Sequence, residues 1–341
     1  MRGMKGLLWK EWRQYYWSFA LAFIVIALEP VLVPITYWIY RTGNRADAWS
    51  DGIKAILAAG GSTTEAIAII AVIVLAALML AGERGSGLNY LVSTPVSRRQ
   101  IITAKYIVGS LGILAIMLFI SLFLIVAGQV LPAQYTAQEV IQWVAPTTAA
   151  LLCLFSLALL VASFSGGILS SIIFAHIIMG LPWILVSLTL QVFRQFCQIS
   201  SALEVKARYI VTYFFIPDYI TRDGRYIWSG NSNQFIDRVI PDYPLEITIL
   251  LLAFFLFFWL AIKIFEKNPL ERQGELLLFG NFKQIGAIFL SFLMALGWAG
   301  DVASSLTSFL AYFLVIGLGI YLILVALMRV IAWLGLSRAR P

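Results

Sequence analysis

The chain has 341 residues, of which 61% are hydrophobic and 12% charged. A soluble protein of this length carries about 25% charged residues, so the composition excludes a soluble globular domain and predicts a polytopic membrane protein. The formal net charge of +7 gathers at the ends of apolar runs, which predicts contact with a lipid bilayer and no nucleic-acid partner.

The first 16 residues predict an amphipathic helix. Four cations lie among five apolar residues that share one side of a helix, although Glu11 intrudes on that side. We expect an interfacial helix on the cytoplasmic leaflet, and a charged flank that only fixes topology is the alternative. The apolar residues are Met4, Leu7, Leu8, Trp12 and Tyr15.

Apolar runs long enough to cross a bilayer predict an all-α transmembrane bundle of about eight helices. The seventh run is the weakest, because it is short and ends at Asp301, and a re-entrant or tilted half-span is the alternative there. The runs cover residues 17–40, 64–81, 106–130, 143–164, 168–193, 245–265, 285–299 and 307–333.

The distribution of cations predicts that both termini are cytoplasmic. With that orientation, fifteen of the 24 Lys and Arg residues fall in inner segments and nine in outer ones. We expect a multi-pass protein of the plasma membrane, with five spans over residues 17–193. Three further spans and a basic tail follow over residues 245–341.

Residues 194–244 form the one large outer segment. It begins with an apolar, helix-compatible stretch and continues through turn signals at Pro217-Asp218, Asp223-Gly224 and Gly230-Asn231. Its many aromatic residues could not all stay solvated. The segment therefore predicts an extracellular cap of short helices and turns between the fifth and sixth spans.

Residues 83–105 form a polar, basic interruption between the second and third spans. Ser97 and Gln100 have the spacing of a capping box, which predicts a helix that continues through Lys105 into the membrane. Pro95 favours an extended or turned entry to that helix. This pattern predicts a docking element at the cytoplasmic surface.

The same segment resembles the loop between the second and third helices of ABC-2 type transporter permeases, where a coupling helix docks into a separate ATP-binding subunit. The resemblance extends over about residues 1–267, and the two spans after Lys267 resemble only the larger Gram-positive members of the family. It implies ATPase-coupling roles for Glu83, Gly87, Leu88, Leu91, Pro95, Ser97 and Arg98. For Glu83, an interfacial ion pair with Arg84 or Arg98 is the alternative.

The resemblance implies the membrane subunit of an ATP-driven exporter of an amphipathic peptide, antibiotic or lipid-like substrate. The sequence contains no G-x-x-x-x-G-K-[ST] motif, so ATP and Mg²⁺ are expected in a partner ATPase, and this chain is expected to be no enzyme and to hold no cofactor. Two ATPases imply a second permease subunit, either identical or related. A motor-independent secondary transporter and an accessory or sensor subunit are the alternatives.

Two ionisable residues at membrane depth are candidates for a transport pathway. Glu29 precedes Pro30 within the first span, and His176, the only histidine, lies in the fifth. The alternatives are an interfacial position for Glu29 and a neutral, hydrogen-bonded packing role for His176.

Overall fold

The computed structural model describes residues 2–40, 57, 63–82, 96–130, 135–197, 200–221, 226–228, 235–238, 242–267 and 280–338. Its elements, in chain order, are α1 (Arg2–Tyr40), α2 (Thr63–Leu80), α3 (Arg98–Val130), α4 (Ala137–Phe164), α5 (Ile168–Cys197), α6 (Ser201–Thr212), α7 (Asp218–Thr221), β1 (Tyr226–Trp228), β2 (Phe235–Arg238), α8 (Tyr243–Glu266), α9 (Gly280–Val302) and α10 (Leu306–Arg338).

The fold is a polytopic helical bundle. Within the described ranges, seven helices are long and apolar enough to cross a membrane, namely α1, α3, α4, α5, α8, α9 and α10. The second predicted span coincides with α2, whose apolar part, Ala66–Leu80, is shorter than the other seven. Eight spans therefore stay a prediction.

The N-terminal helix differs from its predicted form. Residues 1–16 are not a helix of their own, because α1 continues without a break from Arg2 to Tyr40. Their position at the membrane interface stays a prediction. Leu7, Glu11, Tyr15 and Phe19 recur every four residues on the buried face of α1, so one packing stripe crosses the predicted boundary at residue 16. At 1.5 Å per residue the helix is about 58 Å long, whereas a bilayer core is about 30 Å thick.

Contacts between helices divide the chain into two units. The first comprises Met1–Met179 and Thr212–Leu278. In this unit α4 is buried along most of its length and contacts α2, α3, α7 and α8, while α1 packs against α2 and α3. The two helices that flank residues 83–97, α2 and α3, therefore both pack against the buried helix α4.

The turn between α4 and α5 confirms a prediction from the sequence. The serine- and glycine-rich stretch over residues 163–171 predicts a tight turn with Gly166 and Gly167 at its apex. In the structure α4 ends at Phe164 and α5 begins at Ile168. The hydroxyl of Ser171 donates to the carbonyl of Gly167 (2.7 Å), which ties the end of the turn to the first turn of α5.

Gly109 allows α3 and α4 to pack closely. A Cβ atom at this position would lie 1.9 Å from Cζ of Phe155, whose ring is fully buried on α4. We expect Gly109→Ala to destabilise the bundle by about 1–3 kcal/mol, because a close-packed core accommodates an added methyl group only by shifting its neighbours.

The matched control is Gly286→Ala on α9, where an added Cβ meets nothing within 4 Å. It should leave stability unchanged or raise it slightly, because alanine has the higher helix propensity. Thermal unfolding of the two purified variants measures the difference. Equal midpoints for both variants would contradict the assigned role of Gly109.

The second unit comprises Gly180–Val211 and Phe279–Pro341. In this unit α9 and α10 pack against each other. A small core forms from Ala299, Ala303 and Phe309, with Val192 and Phe196 of α5 beside it. The amide of Gln195 donates to the carbonyl of Ala303 (2.7 Å), which joins the end of α5 to the connection between α9 and α10.

The predicted outer segment contains two short strands in addition to the expected short helices. The helix-compatible stretch forms α6, and α7 follows it. Strands β1 and β2 pair antiparallel, with Ile227 opposite Asp237 and an irregularity next to Trp228. The extracellular position of this segment stays a prediction.

At the α3–α4 connection, Tyr135 closes a helix hairpin. Its hydroxyl donates to the carbonyl of Leu124 (2.8 Å), and its ring packs where a side chain at Gly128 would clash. Burial raises the pKa of Tyr135 to about 12, so the hydroxyl keeps its proton and donates throughout the physiological pH range.

Candidate coupling site

Two of the seven predicted coupling residues, Ser97 and Arg98, belong to the described structure. The other five lie outside the described residues, so their predicted roles stay predictions. They are Glu83, Gly87, Leu88, Leu91 and Pro95. The site is therefore built from the two helix ends that flank them, the end of α2 and the start of α3.

The start of α3 is fixed by the predicted capping box. The backbone N–H of Ser97 donates to the side-chain oxygen of Gln100 (3.0 Å), and the N–H of Gln100 donates to the Ser97 hydroxyl (3.2 Å). The two bonds satisfy donors that a helix N-terminus otherwise leaves free. The capping-box prediction is confirmed, and α3 then runs without interruption from Arg98 to Val130.

Gly82 marks the end of α2. The backbone N–H groups of Ala81 and Gly82 both donate to the carbonyl of Ala77 (2.8 and 3.1 Å). A Cβ atom at residue 82 would lie only 2.5 Å from the carbonyl oxygen of Leu78. Glycine is therefore the residue that permits this tight exit toward residues 83–95.

Arg98 connects the start of α3 to the end of α8. Its guanidinium donates to the backbone carbonyl of Glu266 (3.3 Å) in the last turn of α8. The last carbonyls of a helix lack helical partners and carry partial negative charge, so a cation stabilises them. This bond joins positions 168 residues apart in the sequence.

A fully buried ion pair lies two turns into α3. Nζ of Lys105 is 2.8 Å from Oε2 of Glu11, and neither side chain has any solvent exposure. Oε1 of Glu11 is 3.0 Å from Nζ of Lys10, whose side chain is 35% exposed. A buried charge is stable only with close partners, so the pairing explains why a carboxylate occupies the packed face of α1.

Tyr15 extends this ion pair to the end of α2. The ring of Tyr15 lies 5.3 Å from Nζ of Lys105, within the range of a cation–π contact. The hydroxyl of Tyr15 donates to the carbonyl of Met79 (3.3 Å). We call Glu11, Tyr15, Lys105 and the Met79 carbonyl the Glu11–Lys105 cluster; it bonds α1 to both helix ends that flank residues 83–97.

Tyr106 anchors the next position of α3 to α4 and α8. Its hydroxyl hydrogen-bonds to the hydroxyl of Ser156, which donates to the carbonyl of Phe254 (2.8 Å). The Tyr106 ring packs against Phe258, with centroids 4.1 Å apart. Within two turns of its start, α3 is thus bonded to α1, α4 and α8.

The sequence carried a signal for the Glu11–Lys105 cluster, but it did not identify the pair. Glu11 on an apolar helix face and Lys105 at the head of an apolar run are both exceptions to the local pattern. Two such exceptions of opposite charge predict a buried ion pair. Residues 94 positions apart cannot be matched by spacing alone.

The two candidate pathway residues are partly buried and lie on separate helices. Glu29 lies on α1, which continues as a helix through Pro30 and Pro34. Nδ1 of His176 is 2.8 Å from the carbonyl of Ile172, one turn earlier on α5. A carbonyl can only accept, so Nδ1 carries the proton. Pathway roles for both residues stay predictions.

Among the described residues, no group of three His, Cys, Asp or Glu side chains lies close enough to hold a metal ion. The contacts at the start of α3 can couple movements of neighbouring helices. A displacement of the start of α3 would act on three neighbouring helices through hydrogen bonds, an ion pair and ring packing. The site is therefore suited to transmit a force applied at residues 83–97.

Comparison with known proteins supplies one match. Residues 53–220 match the family model described as ABC-2 family transporter protein. That range includes the whole of α2, α3, α4 and α5, and the segment between α2 and α3. Neither a curated protein nor a solved structure matches the chain.

Proposed function

We propose that this chain, a member of the ABC-2 family of transporter proteins, is the membrane subunit of an ATP-driven exporter whose ATPase is a separate polypeptide. Residues 83–97 form the docking element for that ATPase, and α3 carries the resulting motion into the membrane. The substrate class is an amphipathic peptide, antibiotic or lipid-like molecule.

The observation that carries the proposal is the unbroken helix α3, which begins directly after residues 83–97 in the sequence. The capping box starts the helix at Arg98, and the helix stays unbroken for 33 residues. A stiff helix transmits a tilt along its length, whereas a flexible linker would absorb it. The Glu11–Lys105 cluster makes α1 follow the same movement.

Two copies of a permease are needed if two ATPases close on ATP and Mg²⁺ between them. We therefore propose a homodimer or a pair with a related permease, in the plasma membrane and with both termini in the cytoplasm. The chain itself contributes no catalytic residue to ATP hydrolysis. Its sequence lacks the phosphate-binding G-x-x-x-x-G-K-[ST] motif.

Co-purification tests the partnership. The tagged full-length protein is extracted from its native membrane in mild detergent, and bound proteins are identified and quantified by mass spectrometry. We expect a soluble protein with a G-x-x-x-x-G-K-[ST] motif at about one copy per permease. A second polytopic chain in the same sample would distinguish a heterodimer from a homodimer.

No ATPase in the sample, under conditions that preserve a known ABC transporter, would contradict the proposal. It would favour a motor-independent secondary transporter or an accessory subunit. Transport that depends on a proton gradient and persists without ATP would separate the first of these from the second.

A further inference from the structure

Two arginines in the second unit share a single carboxylate oxygen. Nη2 of Arg194 is 3.1 Å from Oε1 of Glu204, and Nε of Arg208 is 3.2 Å from the same oxygen. Each guanidinium has five N–H donors and no acceptor, so this one oxygen satisfies few of the ten. The Nε of Arg194 is buried and has no hydrogen-bond partner in the described structure.

The charges around this group leave a net positive site. Besides Glu204, the second unit has one acidic residue, Asp301. Asp301 accepts a hydrogen bond from the Gln191 amide (2.6 Å). The ion pairs of Arg194 and Arg208 in the described structure are with Glu204 and not with Asp301. The side chains of Arg194 and Arg208 are 30% and 20% exposed, so an anion can reach them from solvent.

The position of Arg194 at the end of a membrane-length helix indicates the kind of anion. Arg194 lies in the last turn of α5, a helix long enough to span the bilayer, and α6 begins just after it. Span ends lie at the level of lipid headgroups. Phe193 and Leu203 are large, exposed apolar residues next to Arg194 and Glu204 in the sequence. The acyl chains of a lipid could therefore contact these apolar residues while its phosphate contacts the arginines.

We propose that Arg194 and Arg208 form a binding site for the phosphate of an anionic membrane phospholipid. The guanidinium groups donate charge-assisted hydrogen bonds to the phosphate oxygens, and Glu204 holds the two side chains at a fixed separation. The acyl chains lie along the exposed apolar residues. The site requires no ATPase partner and is separate from the coupling function.

Native mass spectrometry of the purified full-length protein tests the site. The probes are phosphatidylglycerol and phosphatidylcholine with identical acyl chains. We expect one phosphatidylglycerol to bind at least tenfold more tightly than phosphatidylcholine, because both lipids carry the phosphate but the choline cation of phosphatidylcholine offsets its charge. Arg194→Gln and Arg208→Gln should each weaken it about tenfold, as expected for loss of a charge-assisted hydrogen bond. Each variant leaves Glu204 one arginine partner, so the local fold is retained.

Lys206→Gln is the matched control, because it removes the same charge from the same helix. Lys206 lies midway between Glu204 and Arg208 in the sequence, so its side chain points to the opposite side of α6. The Lys206→Gln variant should therefore bind phosphatidylglycerol like the wild type. An equal loss with Lys206→Gln would overturn the site in favour of diffuse surface charge. Displacement of phosphatidylglycerol by inorganic phosphate at equal concentration would overturn the lipid assignment, since the acyl chains would then contribute nothing.

Discussion

Replacing Lys105 by methionine is expected to destabilise the protein by about 3 kcal/mol. Methionine fills a similar volume but leaves Oε2 of Glu11 buried without its 2.8 Å donor, and breaking a buried ion pair in this way costs about 3–5 kcal/mol. The lower value applies because Lys10 still contacts Oε1. A lower unfolding midpoint and a smaller monodisperse fraction in gel filtration would report the change.

Two further variants determine whether the effect comes from burial. Lys10→Met removes the partly exposed partner of the same carboxylate and should cost less than about 1 kcal/mol, because solvent reaches Lys10 and screens that pair. Glu11→Leu combined with Lys105→Met removes both buried charges and should recover most of the stability. A double variant no more stable than Lys105→Met would show that the ion pair does not explain the loss.

Charged substitutions at Leu88 and Leu91 are expected to abolish coupling to the ATPase. These leucines are apolar residues within a polar segment, and apolar side chains at such positions suit burial against a partner. Leu88→Glu with Leu91→Glu would place two carboxylates in that interface, where desolvation is costly. Membrane insertion should be normal, whereas ATP hydrolysis stimulated through the permease should fall to the level of the isolated ATPase.

The matched control is Asn89→Glu with Thr94→Glu, which adds the same charge to the same segment and removes no apolar side chain. It should retain most of the stimulation. If the leucine variant hydrolyses ATP at the wild-type rate, residues 83–97 are not the docking element. If both variants lose activity equally, net charge in the segment is the cause and the leucines have no special role.

The sequence predicted those features that local patterns determine. The capping box at Ser97 and Gln100 depends on residues three positions apart, and the turn at Gly166 and Gly167 depends on small residues between two apolar runs. Both are confirmed. The membrane class follows from composition and the helical class from the lengths of the apolar runs, and the ABC-2 resemblance agrees with the family match over residues 53–220.

Features that depend on distant residues could not be predicted in the same way. A boundary at residue 16 followed from the change from charged to apolar sequence, yet helix continuity depends on backbone propensity, and nothing between Tyr16 and Trp17 breaks a helix. The partners of Glu11 and Arg98 are 94 and 168 residues away. Only the packing of α1, α3 and α8 brings these groups together.

Photo-cross-linking at position 91 tests the central claim most directly. A photoreactive amino acid replaces Leu91 in the full-length protein, and a second variant carries it at Ile141, an exposed residue at the opposite end of the α3–α4 hairpin. Irradiation in native membranes should join position 91, but not position 141, to a protein with a G-x-x-x-x-G-K-[ST] motif. Equal cross-linking of the ATPase to positions 91 and 141 would contradict an ATPase docked on residues 83–97. So would an ATPase that co-purifies with the permease but cross-links to neither position.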